Sequence, residues 1–479
     1  MSIRLLSLQH VCLGLAVVLA GCAAVGPDYK TPETEVSAGY VSADEAGFST
    51  EQVDVTWWRG FNDTTLNQLV EVALNNNHDL RIATANLLEA RALRQQTEYD
   101  RYPTVTAEGF FTQQHFSNAA LLSGTGSSNE KLYQLGFDAT WELDFFGRVR
   151  RSIEAQSAQV GAAEATRRDV IVSLIAEVAR NYFELRGIQH QLDVALKNAA
   201  NQHETLNLTL ELLEGGQGTE LDTSRAREQW NSTLATIPLL QAAVQRSIYR
   251  LGVLTGQQPQ ALLSDLKEPA PLAEYSKLIV IGKPEELLRR RPDIRVAERN
   301  LAATTALIGV ATADLFPRVT FRGLASLEGN TFSGLGDSGS GTYLFGPVIR
   351  WEAVFNYGRV KARILAADAR AEANLALYEK TVLTALEETE NALVEFTRER
   401  ARRDYLRAAV EASEKASSLA QQRFQEGATD FLTVLDSERR LLETQQNLAQ
   451  SETSTATSLV AVYKALGGGW EIEQPLAAK

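Results

Sequence analysis

The chain has 479 residues, 44% of them hydrophobic, two cysteines and a net charge of −13. An acidic chain without a basic stripe cannot neutralise phosphates, which excludes nucleic acid as a partner. Its wealth of Ala, Leu, Glu, Gln and Arg favours helix.

At the N-terminus, Arg4 is the only charge before an apolar run from Val11 to Leu19, and Leu19-Ala20-Gly21-Cys22 follows. A basic start, a short apolar stretch and small residues before a cleavage point predict a secretory signal peptide over residues 1–21. The run is too short to span a membrane, which takes about 20 apolar residues. Leu-Ala-Gly-Cys resembles a bacterial lipobox, which implies cleavage before Cys22 and acylation of its thiol. Cys12 leaves with the signal, so Cys22 stands alone and makes no intramolecular disulfide. The alternative for Cys22 is a free exposed thiol. Loss of Arg4 takes the mature charge from −13 to −14.

Residues 22–78 read as an extended N-terminal segment with a short helix. Beyond them, one unit is written twice. Asp79-Leu80-Arg81 recurs as Asp293-Ile294-Arg295, and Tyr102-Pro103 as Phe316-Pro317. Trp141-Glu142 recurs as Trp351-Glu352, Phe146-Gly147-Arg148-Val149 as Tyr357-Gly358-Arg359-Val360, and Thr219-Glu220-Leu221 as Thr429-Asp430-Phe431. The first repeat covers 79–256 and the second 293–466. Between them, 257–292 is a proline-rich connector, and 467–479 is a tail.

Each repeat is expected to run helix, two strands, very long helix, second helix. In the second, Val360, Ile364, Ala367, Ala371, Leu375 and Tyr378 recur at spacings of three and four, the mark of an amphipathic helix. No glycine or proline falls between Gly358 and Gly427. At 1.5 Å per residue such a helix is about 100 Å long. Arg148 to Glu214 is its counterpart, of the same length but containing Gly161 and Gly187.

The strands alternate. Tyr133, Leu135, Phe137, Ala139, Trp141, Leu143 and Phe145 interleave with polar residues, and Tyr343, Phe345, Ile349, Trp351 and Phe355 are expected on one face. Val105, Ala107 and Phe111 follow Pro103, and Val319 and Phe321 follow Pro317. Alternation over about 10 residues is how a transmembrane β-strand is written, although a soluble sandwich has the same period. Ser117–Glu130 and Glu328–Gly341 read as loops. Four strands per chain cannot close a barrel and must not leave edges in lipid, so the chain is expected to oligomerise.

Catalytic spellings fail in context. Gly334-Leu335-Gly336-Asp337-Ser338-Gly339 matches a dinucleotide-binding fingerprint and echoes a serine-protease nucleophile segment, but it lies between two strands without a following helix. His78, His115, His190 and His203 show no metal-ligand spacing. No cofactor, metal site or catalytic residue is predicted.

The chain resembles the TolC-type outer-membrane factor family, in the lipoprotein branch that serves RND-type multidrug efflux pumps. The pieces that carry the resemblance are Trp57-Trp58 with Phe61 and Asp63, Glu142-Leu143-Asp144-Phe145-Phe146-Gly147-Arg148, Arg291-Pro292-Asp293-Ile294-Arg295, and Ala465-Leu466-Gly467-Gly468-Gly469. The resemblance implies a mixed, mainly α fold. A trimeric α-barrel of very long helices joins a shared transmembrane β-barrel, with four strands per chain and twelve in the homotrimer. It also implies partners: a periplasmic adaptor protein, an inner-membrane RND-type pump and outer-membrane lipid at Cys22. At the periplasmic gate it points to Leu432, Asp436 and Asp222. The family's Tyr and Arg gate-tie partners fall here at Phe424 and Thr429, neither of which makes a salt bridge. For Asp222 a helix cap is the alternative, and for Asp436 a surface pair with Arg439 or Arg440. The expected function is a passive, gated exit duct for small molecules. The alternatives are a periplasmic coiled-coil spacer, which needs no amphipathic strands, and an outer-membrane hydrolase, which needs catalytic groups.

Overall fold

A computed structural model describes residues 24–41, 48–51, 54–115 and 129–471. The predicted signal peptide, Cys22, residues 472–479 and most of the Ser117–Glu130 loop lie outside the described residues. In chain order the main elements are α1 (Thr64–Asn76), α2 (His78–Tyr99), β1 (Thr104–His115), β2 (Asn129–Leu143), α3 (Arg148–Glu214), α4 (Glu220–Leu254), α5 (Pro284–Arg290), α6 (Pro292–Ala313), β3 (Arg318–Gly329), β4 (Gly341–Arg350), α7 (Ala353–Gln425) and α8 (Phe431–Ala465). The order helix, strand, strand, long helix, helix therefore occurs twice.

Two expectations about the strands need correction. β2 begins at Asn129, inside the expected loop, and β4 ends at Arg350. Trp351 lies beyond the strand, where its indole N–H donates to the Leu315 carbonyl at 2.9 Å. Phe355 belongs to the first turn of α7 and is 93% exposed. The two glycines of α3 do not interrupt it. A Cβ on Gly187 would lie 1.9 Å from the Thr453 Oγ1, so glycine there permits close helix packing.

The chain forms two compact units. One comprises Met1–Glu33, Asn86–Glu164 and Val296–Glu379. It contains the whole antiparallel sheet, in the order β1-β2-β3-β4. The turn from β2 into α3 is set by the Glu-Leu-Asp-Phe-Phe-Gly-Arg segment. Arg148 grips Glu142 through two bonds of 2.8 and 2.5 Å. The Asp144 carboxylate accepts the backbone N–H groups of Val149 and Arg150, each at 3.0 Å, satisfying donors that every helix start leaves open. Gly147 turns the chain at φ +82°, and a Cβ there would lie 2.4 Å from that of Ala24. The N-terminal segment is thus laid against this corner. Val25 donates its N–H to the Phe146 carbonyl at 3.1 Å. The buried Arg151 guanidinium donates to the Val25 and Gly26 carbonyls and to Asp28 at 2.7 Å.

The other unit comprises Thr34–Ala85, Ala165–Arg295 and Lys380–Lys479. Here three motifs distant in sequence become packing devices. Trp57 stacks on Tyr463 at 5.2 Å, and Phe61 meets Phe183 at 4.5 Å. Asp63 caps α1 through the Leu66 N–H at 3.0 Å and accepts the Tyr182 hydroxyl at 2.5 Å. Arg291 pairs with Asp293 at 2.6 Å and Glu388 at 2.7 Å, and donates to the Ala465 carbonyl at 3.0 Å. A Cβ on Gly467, at φ +67°, would lie 3.1 Å from the Arg291 Cα, so this close approach suits glycine.

Candidate channel wall and helix tips

Residues directly opposite in an antiparallel pair share a face. Val105 faces Ala139, Phe111 faces Tyr133, Leu135 faces Leu327 and Trp141 faces Phe321. Gly323 faces Phe345 and Val319 faces Ile349. The result is one apolar face across all four strands, and it is exposed: Leu135 is 57%, Phe137 61% and Phe345 72% accessible. A contiguous exposed apolar face of this kind marks contact with lipid or protein. The other face carries Glu108, Asp138, Thr140, Arg322 and Arg350, with Arg322 lying 3.8 Å from Asp138. Among the described residues no helix is long and apolar enough to cross a membrane.

Both hairpins end in the same device. The Trp141 indole donates to the Arg101 carbonyl at 2.9 Å, as Trp351 does to Leu315. Each closes a carbonyl just beyond the C-terminus of α2 or α6, while its ring stays at the margin of the apolar face. An aromatic ring with a satisfied polar handle suits a membrane–water boundary. Phe146 stacks on Phe316 at 4.6 Å in the same unit. Beside them Arg363 bridges Glu352 at 2.8 Å and Asp314 at 3.2 Å. Arg363 holds the Glu352 carboxyl below its usual range.

The Gly334–Gly339 segment lies between β3 and β4 as a short 3₁₀ turn at Ser333–Gly336, leading directly into the strand. Among the described residues no metal-binding group of His, Cys, Asp or Glu is formed.

The predicted gate residues belong to the second unit, at two helix tips of like construction. The first joins α3 to α4 through Gly216 at φ +70°, and the second joins α7 to α8 through Gly427 at φ +72°. In both, a backbone N–H returns to a carbonyl five residues back: Gln217 to Leu212 and Ala428 to Arg423, each at 2.8 Å. That is a glycine-based helix stop. Thr219 caps α4 through the Asp222 N–H at 3.2 Å and donates its hydroxyl to the Asp222 carboxylate at 2.7 Å. Asp222 therefore completes a cap and is not bonded to the second tip. Asp430 caps α8 through the Thr433 N–H at 3.0 Å.

Leu432 and Asp436 lie one turn apart on α8, and Leu432 is 53% exposed. The Asp436 carboxylate accepts from Arg440 at 2.9 Å and from Arg439 at 3.0 Å. These guanidiniums, Arg440 foremost, hold it below its usual range. Phe424 takes no polar role. Its ring meets Phe431 at 5.4 Å, beside a buried cluster of Leu206, Ala226, Ala420, Phe431 and Val434. The sequence reading missed Glu438, which is 5% exposed. One carboxylate oxygen accepts from Thr205 at 2.8 Å and Gln421 at 2.9 Å, and the other has no partner. The signal was there: 431, 434 and 438 follow the three–four spacing of a buried face.

The chain matches the family described as outer membrane efflux protein over residues 69–257 and 284–468. It belongs to the outer membrane efflux protein family. A solvent efflux pump outer membrane protein of Pseudomonas putida is 33% identical over 472 residues, covering 96% of this chain and 97% of that one. The solved outer-membrane channel OprN superposes with a TM-score of 0.88 at 43% identity, over 94% of this chain and 100% of that one. The open-state outer membrane channel MtrE of Neisseria gonorrhoeae gives 0.82 at 28% identity, covering 94% and 99%. This efflux protein is accordingly an outer-membrane channel that extends into the periplasm, and its work is transport rather than catalysis. The helical and β parts of the fold are those of TolC-type channels.

Proposed function

We propose that three copies of this chain close one twelve-stranded barrel through the outer membrane and extend a barrel of long helices into the periplasm. The homotrimer is the passive exit duct of a tripartite pump. An inner-membrane RND-type pump supplies the energy, a periplasmic adaptor meets the helix tips, and small molecules pass without specific recognition. The observation that carries this reading is the sheet, with one apolar exposed face, one polar face and an open edge at both β1 and β4. In hydrocarbon every backbone N–H and C=O needs a partner, so those edges must pair with other copies. Residues 79–256 and 293–466 each contribute two strands and the adjoining helices, 257–292 forms an equatorial connector, and 467–479 a tail. Native mass spectrometry in detergent is expected to give a trimer, and a monodisperse folded monomer would overturn the shared barrel.

Cys22 carries acyl chains that anchor the N-terminal segment, 22–78, in outer-membrane lipid. In support, the chain just after it is held at the corner where the sheet ends, by Val25 and Arg151. Cys22→Ser is expected to abolish fatty-acid labelling while the barrel still inserts. Undiminished label would sink the anchor.

Leu432 and Asp436 line the closed end of the duct, with Asp222 at the neighbouring tip. Asp436 stays ionised because Arg440 and Arg439 favour its charged form. It loses that charge only as pH falls below the ordinary carboxylate range. Asp436→Ala is expected to weaken cation selectivity and raise conductance in a planar bilayer. Leu432→Ala is expected to raise conductance with selectivity kept. Unchanged currents in both would remove these residues from the pore.

A further inference from the structure

The duplication sets how one copy of the chain meets the next. Within the chain, Thr104 of β1 faces Thr140 of β2. Carried to the second repeat, these positions become Arg318 and Arg350, and those residues face each other across β3 and β4. The two hairpins therefore share one register. A third pairing, β2 with β3, joins the hairpins, and there Thr140 faces Arg322. Its counterpart has to join β4 to a β1 that this chain does not supply.

We propose that β4 of one copy pairs with β1 of the next in the register of β2 with β3, placing Arg350 directly opposite Glu108 of the next copy. Thr140 maps to Arg350, and Arg322 maps to Glu108, since Arg322 faces Gly346 as Glu108 faces Gly136. This rests on the shared-barrel reading above and adds the register to it.

A second observation, independent of the repeat, agrees. Arg350 and Glu108 lie on the polar face, one on each open edge. Neither has an ion-pair or side-chain hydrogen-bond partner among the described residues. Within its own chain Arg350 faces Arg318, a like charge, and directly opposite like charges destabilise a sheet. Arg318 is served by Asp314 at 3.0 Å, whereas Arg350 lacks an acid. The inferred register supplies one. It also sets Val348 opposite Phe110 of the next copy, an apolar pair on the face where Leu324 already faces Leu344. A slip of one residue would turn the apolar face of the next copy inward.

The test is disulfide trapping in the full-length protein in outer membranes, with the unsubstituted chain as the control for Cys22. Arg350→Cys with Glu108→Cys is compared with Arg350→Cys plus Thr106→Cys and Arg350→Cys plus Phe110→Cys. Directly opposite Cβ atoms lie about 4.5–5.5 Å apart and diagonal ones about 7–8 Å, against the 3.5–4.5 Å a disulfide needs. The 350/108 pair is expected to give cross-linked dimers and trimers at about ten-fold the yield of either shifted pair. Within one chain these positions are three strand spacings apart, about 14 Å, so intramolecular closure does not compete. Charge exchange gives a second readout. Arg350→Glu and Glu108→Arg are each expected to lower the temperature at which the oligomer dissociates, and the double variant to restore it. Stronger cross-linking by a shifted pair, or no restoration by the double variant, overturns the register while leaving the barrel intact. No cross-link from any pair in a chain that native mass spectrometry finds monomeric refutes the shared barrel itself.

Discussion

The two hairpins of the sheet are copies of each other position by position, whereas the two helix tips share a turn and little else. At the first tip Leu221 is 57% exposed, and its counterpart in the repeat, Phe431, is 4% exposed within an apolar cluster. The turns themselves have not diverged, since both use a left-handed glycine and a capped helix start. The difference lies in what each tip packs against. The two hairpins are held in one register, Thr104 against Thr140 and Arg318 against Arg350. Within the second tip, Phe424 and Phe431 meet at 5.4 Å beside the apolar cluster.

The largest expected effect follows from that contrast. Phe431→Ala removes the centre of the cluster and is expected to destabilise the helical region by about 3–5 kcal/mol, the usual cost of emptying a buried aromatic site. Leu221→Ala is expected to stay within about 0.5 kcal/mol. Denaturant unfolding of the detergent-solubilised protein, followed by far-UV circular dichroism, checks both. Equal losses would mean that the tips are equivalent after all.

A smaller effect sharpens the comparison. Burial raises the Glu438 carboxyl above its ordinary 4.5, against the pull of its bonds to Gln421 and Thr205. No charged side chain contributes to that shift. The packed tip thus binds this proton more tightly than the unfolded chain does. The stability it adds is fully present below the ordinary value and is lost as pH rises through the raised one. Hydrogen exchange over 425–440, corrected for intrinsic rates, is expected to show the second tip loosening as pH rises above the ordinary carboxylate range. Glu438→Gln keeps an acceptor for Thr205 and Gln421, and is expected to flatten that dependence while the first tip is unaffected. The same slope in the variant would remove Glu438 from the account.

Much of this was legible beforehand for a physical reason: periodicity reports burial, and burial governs these elements. The long helix α7 and the parity of β1 and β2 follow from spacing, and the repeat carries that helix length to α3. What failed was the end of β4. Trp351 and Phe355 continue the alternation of the strand, but β4 is paired only with β3 and ends at Arg350, opposite Arg318 where β3 begins. The end of a partner strand leaves no periodic trace. Glycine weakens an isolated helix, and the value of Gly187 appears only where Thr453 packs against it. At the gate, spacing put Leu432 and Asp436 on one face. The Arg439 and Arg440 bonds to Asp436 were one of two open readings, since an exposed acid beside arginines looks the same whether or not it lines a pore.

The matched registers carry a genetic consequence. On the proposed register, a gene encoding only one repeat would specify a unit whose two edges fit each other, and six such units would complete the proposed ring of twelve strands. Fusing two of them halves the number of chains to be assembled. It also frees one loop to change without changing all six. The likeness of the hairpins is the mark of the duplication, and the tips show where its two copies differ.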